Sequence, residues 1–302
     1  MGVVTASLSA VAGILIAAWF TTRVERRFIA SESGPAGQVP VHAPRPASVD
    51  RWMYAAAPAV ALAGVCSAMV VIPFGPTLVS RNLTVGLFYY VVVLDYLALA
   101  IAMGGWGANT AASVEACYRA VAQLVAYVVP LGLAIIGPLM MARSLQTVEI
   151  VNAQHRAGLW YIVAQPQGFA LYVATALMQS YRAPFLEPFA ARIDGGVYGV
   201  YGGWRAEVWR LAFAGLLFAV AAMGAVLFLG GYSGPFLPPP VWMLLKTFAV
   251  MVLMLWVGRR ARLRSTADTV ALAWKVLIPA GLVNILIVGA AILVGVGQGA
   301  FR

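Results

Sequence analysis

The residues best placed to do chemistry lie directly after a long apolar run, between Gln179 and Tyr201-Gly-Gly203. The side chains of interest there are Arg182, Pro184, Phe185, Arg192 and Asp194. A guanidinium at the edge of a membrane is unfavourable unless it faces protein, water or a ligand. Irregular backbone at that depth must also be covered by protein or line a cavity. The segment therefore predicts a lined chamber at the membrane surface, which implies a molecule that enters it.

A second polar group lies along the start of another apolar segment. Arg119, Gln123 and Tyr127 are four residues apart, so they share one face of a helix. Gln179 ends the apolar run that precedes the chamber segment. Two interpretations stay open: hydrogen bonding between helices, or the wall of a wetted polar path.

Asp95 is an isolated carboxylate within an apolar segment, where an acid is unfavourable. The simplest interpretation is a neutral or paired structural acid. Lys246 lies inside another apolar segment and is a candidate partner for Asp95.

The chain has few side chains that could ligate a redox cofactor. Cys66 and Cys117 are its only cysteines, whereas an iron–sulfur cluster is held by about four. His42 and His155 are predicted in loops on opposite sides of the membrane, which argues against paired haem ligation. The glycine-rich run 195–203 lacks the strand–turn–helix setting of a dinucleotide site. We expect no catalytic residue, metal site or bound cofactor, so any electrons travel in a partner.

Composition assigns the chain to the membrane proteins. Of its 302 residues, 62% are hydrophobic and only 10% are charged, whereas soluble domains are about half apolar and a quarter charged. The net charge of +10 sits mostly at loop ends, where it serves topology. No basic helix with interleaved aromatic residues occurs, so nucleic acid is not an expected partner.

Eight apolar segments are long enough, at roughly twenty residues each, to cross a bilayer. We predict an all-α polytopic membrane protein with about eight spans near Val3–Phe20, Trp52–Phe74, Val85–Met103, Val121–Met141, Leu159–Met178, Trp209–Leu229, Val241–Val257 and Trp274–Val296. The first segment has arginines after it and none before it, unlike a secretory signal. We expect that segment to stay in the protein.

The loops predict the orientation. Those after segments one, three, five and seven carry thirteen arginines, and the other loops and the tail carry four. The positive-inside bias places the arginine-rich loops in the cytoplasm and both termini on the outer, periplasmic side. The predicted organisation is a single membrane domain over residues 1–302, with cytoplasmic loops at 21–51, 179–208 and 258–273. The Gly230–Pro240 stretch is predicted to be a tight external turn.

Several short motifs, taken in order, resemble the H subunit of respiratory NADH:quinone oxidoreductase, complex I. The matching elements are Val24-Glu-Arg-Arg27, Gly34-Pro35, Ala57-Pro58, Val71-Ile-Pro-Phe-Gly-Pro76, Gly104-Gly-Trp-Gly-Ala-Asn109, Arg119, Gln123, Tyr127, Gln165-Pro-Gln-Gly-Phe169, Arg182-Ala-Pro-Phe185, Gly230-Gly231, Trp242, Lys246 and Trp274-Lys275. Each element is weak alone. Their joint order and spacing cover most of the chain.

The resemblance implies a membrane subunit that anchors the peripheral arm and shapes a chamber for ubiquinone or menaquinone. It assigns Arg27, Gly34, Pro35, Arg182, Pro184, Phe185, Arg192 and Asp194 to the chamber and its entrance. It assigns Arg119, Gln123, Tyr127 and Gln179 to a polar path that leads from it. The implied partners are other membrane subunits, the peripheral-arm subunits with their iron–sulfur clusters and flavin, and the lipid of the cell membrane.

This chain departs from the family where the family carries acids near the chamber. The non-acidic replacements are Gln179, Val128, Leu186, Phe189–Ile193, Val200 and Phe213, with only Glu187 and Asp194 nearby. Amide and apolar side chains cannot take up and release protons near neutral pH. The scaffold is retained, whereas the role of this subunit as a proton channel is not expected to be intact.

Two alternative functions remain at this point. One is the membrane anchor of a membrane-bound hydrogenase or formate hydrogenlyase-type complex, whose partner reduces protons instead of quinone. The other is a structural anchor with no catalytic share.

Overall fold

The computed structural model describes residues 49–76, 78–185 and 200–294. Within these ranges all regular structure is helical and no strand occurs, which confirms the all-α prediction for this part of the chain. Six helical stretches there are long and apolar enough to cross a membrane, namely Arg51–Met69, Gly86–Ala108, Ala111–Ala142, Trp204–Phe228, Pro239–Arg260 and Thr266–Leu293. The chain thus has the architecture of a polytopic membrane protein.

We number the helices within the described residues in chain order. They are α1 (Arg51–Met69), α2 (Gly86–Leu94), α3 (Tyr96–Ala108), α4 (Ala111–Ala142), α5 (Thr147–Ala157), α6 (Tyr161–Ala164), α7 (Pro166–Gln179), α8 (Trp204–Phe228), α9 (Pro239–Arg260), α10 (Thr266–Leu272) and α11 (Ile278–Leu293). A five-residue π-helix, Ala273–Leu277, joins α10 to α11.

The predicted fifth span is not one helix. Leu159–Met178 contains α6 and α7, which meet at Gln165 with φ −143° and ψ 69°. Pro166 explains the break, because proline disfavours the helical conformation of the residue before it and pre-sets φ at the first helical position. Six of the other predicted segments overlap the six long helical stretches, with ends that differ by up to ten residues. The remaining segment, Val3–Phe20, lies outside the described residues.

Two other features interrupt or extend the predicted spans. Asp95 separates α2 from α3, while Ala98 and Leu99 still donate backbone hydrogen bonds to its carbonyl. By contrast, α4 runs for 32 residues through both Pro130 and Pro138.

Helix α8 lies at the centre of the bundle and is almost entirely buried inside the protein. It packs against α1 and α9, while α4 packs against α3, α7 and α11. Two of the contacts in the bundle need glycine. A Cβ on Gly64 of α1 would lie 2.9 Å from the Tyr96 Cβ, and one on Gly105 of α3 would lie 2.6 Å from the Ser113 carbonyl oxygen of α4. Small residues thus let these backbones approach closely, as is common between membrane helices.

The loops meet in two groups at opposite ends of the bundle. At one end the Asp50 N–H donates to Gly107 O, and the Arg264 N–H donates to Pro184 O. At the other end the Leu87 N–H donates to Leu145 O. The loops at the first end are the arginine-rich ones, and the positive-inside bias predicts that all of them face the cytoplasm.

Candidate functional site

The candidate site begins where α7 ends and the chain turns back. The Arg182 N–H donates to Leu177 O, and the Phe185 N–H donates to Arg182 O at 2.8 Å. Tyr181 takes a positive φ of 51°, which is uncommon for a residue other than glycine. Phe185 is buried. The segment 180–185 is therefore a compact turn that places Arg182 at the end of the bundle.

Three elements hold this turn in place. The buried Gln123 on α4 donates its Nε2 hydrogens to Met178 O at 2.7 Å and to Phe185 O at 3.2 Å. The end of α9 comes so close that a Cβ on Gly258 would lie 2.4 Å from Ala183 O. Beyond α9, the Arg264 N–H donates to Pro184 O. Gln123 is thus a positioning residue for the turn.

The other two members of the predicted stripe on α4 have different surroundings. Arg119 forms an ion pair with Glu115 one helical turn away, and its side chain is one-third exposed. Tyr127 is buried and donates its hydroxyl hydrogen to Asp95 Oδ1 at 3.0 Å. Gln123 and Tyr127 therefore connect α4 to other elements, whereas the ion pair of Arg119 lies within α4 itself.

Asp95 is the centre of a polar cluster between α2, α4 and α7. In addition to the Tyr127 hydroxyl, the Gln179 Nε2 donates to Asp95 Oδ1 at 3.4 Å. The predicted pairing of Asp95 with Lys246 is wrong. The Lys246 ammonium instead donates to Ser233 O at 2.6 Å and lies 4.6 Å from the Trp160 ring centroid.

An aromatic series runs beside the turn. Its neighbouring ring centroids are 4.3 to 6.1 Å apart, in the order Tyr54, Tyr201, Trp209, Phe213 and Tyr181. The Tyr54 hydroxyl donates to Val200 O at 2.6 Å, and the Tyr201 hydroxyl donates to Tyr54 O at 3.1 Å. Such offset and edge-on rings stabilise one another beyond their buried area. The series joins α1, α8 and both edges of the chamber segment.

Two phenols of this series lie outside the long helices. Burial raises the pKa of Tyr181 and that of Tyr201 well above the ordinary value for tyrosine. Because burial disfavours the anionic form, both groups stay protonated at neutral pH. They can donate hydrogen bonds without adding negative charge to the site.

Comparison with known proteins decides the family. The model of the NADH dehydrogenase family matches residues 42–289. The chain belongs to the NADH dehydrogenase family. It is 38% identical to the second of the NADH-quinone oxidoreductase H subunits of Syntrophobacter fumaroxidans over 259 residues, which are 82% of this chain and 77% of that relative.

Further relatives in this family carry the same name. Identity to the first of the NADH-quinone oxidoreductase H subunits of Geobacter metallireducens is 36%, over 81% of this chain and 77% of the relative. Identity to the first of those of Rhodopseudomonas palustris strain BisA53 is 34%, over 94% of each chain. The resemblance drawn from the short motifs is thereby confirmed.

The structure of this family member covers only part of the predicted site. Arg182, Pro184 and Phe185 lie together in the turn, and Gln123, Tyr127 and Gln179 lie behind it. Five predicted chamber residues lie outside the described residues: Arg27, Gly34, Pro35, Arg192 and Asp194. Tyr54, Tyr181 and Trp209 were not predicted for the site. Their aromatic side chains at the ends of apolar segments were the available signal.

The clamp on the turn predicts the effect of Gln123→Leu. Losing two hydrogen bonds should lower the free energy of unfolding by about 1–3 kcal/mol and loosen the 180–185 turn. Gln154→Leu is a matched control, because the buried Gln154 also joins two elements, accepting from the Tyr161 N–H and donating to Val226 O. We expect both variants to unfold at lower denaturant concentration, whereas only Gln123→Leu lowers quinone reductase turnover per assembled complex. Equal turnover in the two variants would contradict the positioning role.

Proposed function

We propose that this chain is the membrane subunit of a complex-I-type NADH:quinone oxidoreductase that forms part of the quinone chamber and anchors the peripheral arm. The observation that carries this is the turn 180–185, which holds Arg182 at one end of the bundle under three separate restraints. Relatives over most of the chain are named as the H subunit of that enzyme. The guanidinium of an arginine at this place is planar and carries several donors, which suits a planar, polar headgroup.

The proposed substrate is a quinone, either ubiquinone or menaquinone. Its isoprenoid tail would enter between helices whose outward side chains are apolar. The turn with Arg182, Pro184 and Phe185 then forms one wall, and Arg27, Gly34, Pro35, Arg192 and Asp194 belong to the same chamber. The chain itself transfers no electrons, because the flavin and the iron–sulfur clusters belong to the peripheral-arm subunits.

The proposed topology has eight spans in one domain over residues 1–302. Two further spans add to the six long helical stretches, at Val3–Phe20 and at the divided segment α6–α7. Both termini lie on the periplasmic side of the cell membrane, and the loops 21–51, 179–208 and 258–273 face the cytoplasm and the peripheral arm. The contact between Arg264 and Pro184 supports a common side for two of these loops.

We expect the complex to translocate fewer protons per electron than a complex whose corresponding chain keeps the family's acids. The reason is the loss of several carboxylates near the chamber, among them those replaced by the apolar side chains of Val128 and Phe213. Proton uptake and NADH oxidation measured together in liposomes would give the ratio. Gln179→Glu or Val128→Glu alone should not restore it, because transfer needs several sites in series. An undiminished ratio would show that the replacements are harmless.

The names of the relatives do not favour the hydrogenase-type alternative. Purification of the native complex through a tag on this chain tests the choice. We expect the purified fraction to contain flavin and iron–sulfur subunits and to reduce quinone with NADH. Hydrogen evolution without quinone reduction would support the hydrogenase-type anchor. A complex whose quinone reduction is indifferent to every substitution in the turn would support a purely structural anchor.

A further inference from the structure

Asp95 contacts the side chain of Gln179, at a position where this chain lacks an acid that the family carries. The amide of Gln179 occupies that position, and its Nε2 donates to Asp95 Oδ1 at 3.4 Å. Asp95 lies between α2 and α3, outside α7, and is half-buried. The carboxylate missing from α7 is thus matched by one that reaches the same place from the α2–α3 junction.

The hydrogen bonds of Asp95 leave one of its oxygens for a proton. Both the Tyr127 hydroxyl and the Gln179 amide donate to Oδ1. Arg119 and Arg156 each form an ion pair with a glutamate. Within the described part of the chain, no basic side chain forms such a pair with Asp95. A carboxylate with donors on one oxygen and no permanent counter-ion can bind and release a proton at the other.

The groups around Asp95 connect it to the turn. Tyr127 interacts with Tyr181 in the turn as well as with Asp95. The Tyr90 phenol of α2 also interacts electrostatically with Asp95. The Tyr90 hydroxyl is buried and finds no hydrogen-bond partner among residues 49–76, 78–185 and 200–294. A buried hydroxyl without a partner in the protein has the capacity to bind a water molecule.

From this arrangement we propose that Asp95 is a proton-binding group of the polar path and takes the place of the acid replaced by Gln179. Tyr181 and Tyr127 link it to the turn, and Tyr90 extends the cluster along α2. This inference rests on the proposed function for the source of the proton, which is the chemistry at the chamber. Proton binding at Asp95 can be measured independently of that function.

The first experiment detects the proton itself in the purified complex. Infrared difference spectra between an acidic and an alkaline buffer should show a carboxyl band that disappears in Asp95→Asn. The band should persist, at a shifted frequency, in Asp95→Glu, and should also shift in Tyr127→Phe because one hydrogen bond is lost. The titratable neighbours are Tyr90, Tyr127 and Tyr181, whose phenol bands are distinct from carboxyl bands. Identical carboxyl bands in the wild type and Asp95→Asn would overturn the proposal.

The second experiment measures use of the proton in liposomes. Asn keeps an oxygen that can accept from Tyr127 but cannot be protonated, so a merely structural role predicts no change. We expect Asp95→Asn to lower the number of protons translocated per electron, and Asp95→Glu to retain it. An unchanged ratio in Asp95→Asn would also overturn the proposal. Absence of NADH–quinone activity in the wild type would instead reject the proposed function, and the infrared result would still decide whether Asp95 binds a proton.

Discussion

Arg182→Ala should lower quinone reductase turnover roughly ten- to hundredfold while the complex still assembles. The substitution removes the proposed hydrogen bond from the guanidinium to the quinone headgroup. A hydrogen bond from a charged group contributes about 1.5–3 kcal/mol to binding, and each 1.4 kcal/mol corresponds to about a tenfold change in rate. The backbone bonds of the turn, from Arg182 N–H to Leu177 O and from Phe185 N–H to Arg182 O, do not depend on the side chain. Steady-state kinetics at several quinone concentrations would separate weaker binding from slower turnover.

Arg156→Ala is the matched control for this experiment. Arg156 is an exposed arginine whose ion pair with Glu149 spans 3.5 Å at the other end of the bundle. Its removal changes the net charge equally but should leave turnover unchanged, because exposed ion pairs contribute little. Arg182→Lys should recover only part of the activity, since an ammonium lacks the planar fork of a guanidinium. Full activity of Arg182→Ala in an intact complex would favour the structural anchor.

Gly105→Ala should destabilise the protein strongly although it adds only one methyl group. The added Cβ would lie 2.6 Å from Ser113 O and 2.7 Å from the Cys117 Cβ, so α3 and α4 must separate. The Ser113 hydroxyl also donates to Gly105 O at 3.0 Å, and separation would weaken that bond. Overpacking of this kind lowers stability by about 1–3 kcal/mol, a large part of a typical total of about 5–15 kcal/mol.

The same substitution at Gly132 should raise the stability of the protein instead of lowering it. Gly132 is also within a long helix, but no atom lies within 4 Å of the position that its Cβ would occupy. Alanine there should raise the stability by about 0.5–1 kcal/mol, because glycine is unfavourable inside a helix. Denaturant unfolding of the two variants in lipid nanodiscs provides the comparison. Equal stability of Gly105→Ala and the wild type would show that α3 and α4 are not in close contact.

Periodicity and composition predicted much of the fold because membrane spans depend on local properties. A long apolar run has few options in lipid other than a helix, so six predicted segments appear as long helices. The division of Leu159–Met178 at Gln165 was visible in Pro166 but was not predicted. Proline is tolerated inside membrane helices, as Pro130 and Pro138 in α4 show. Whether a given proline breaks a helix therefore depends on its surroundings.

The candidate site was likewise predictable from the sequence only in part. The order of short motifs was sufficient for the family, and it indicated the turn with Arg182 and the residues Gln123, Tyr127 and Gln179. It could not indicate which of these touch, since hydrogen bonds between helices join residues 32 to 84 positions apart. The supposed partner of Asp95 was wrong for this reason, because Lys246 donates to Ser233 instead.

By itself the sequence determined the all-helical membrane class, the family and the segment that turns back at the end of the bundle. These follow from local polarity and from residue types at close spacing along the chain. Only the tertiary structure decided that Asp95 meets the Gln179 amide and that aromatic rings from α1, α8 and the turn form one series. Contacts of this kind depend on how the helices rotate and approach one another, and glycine at positions such as Gly105 sets that distance.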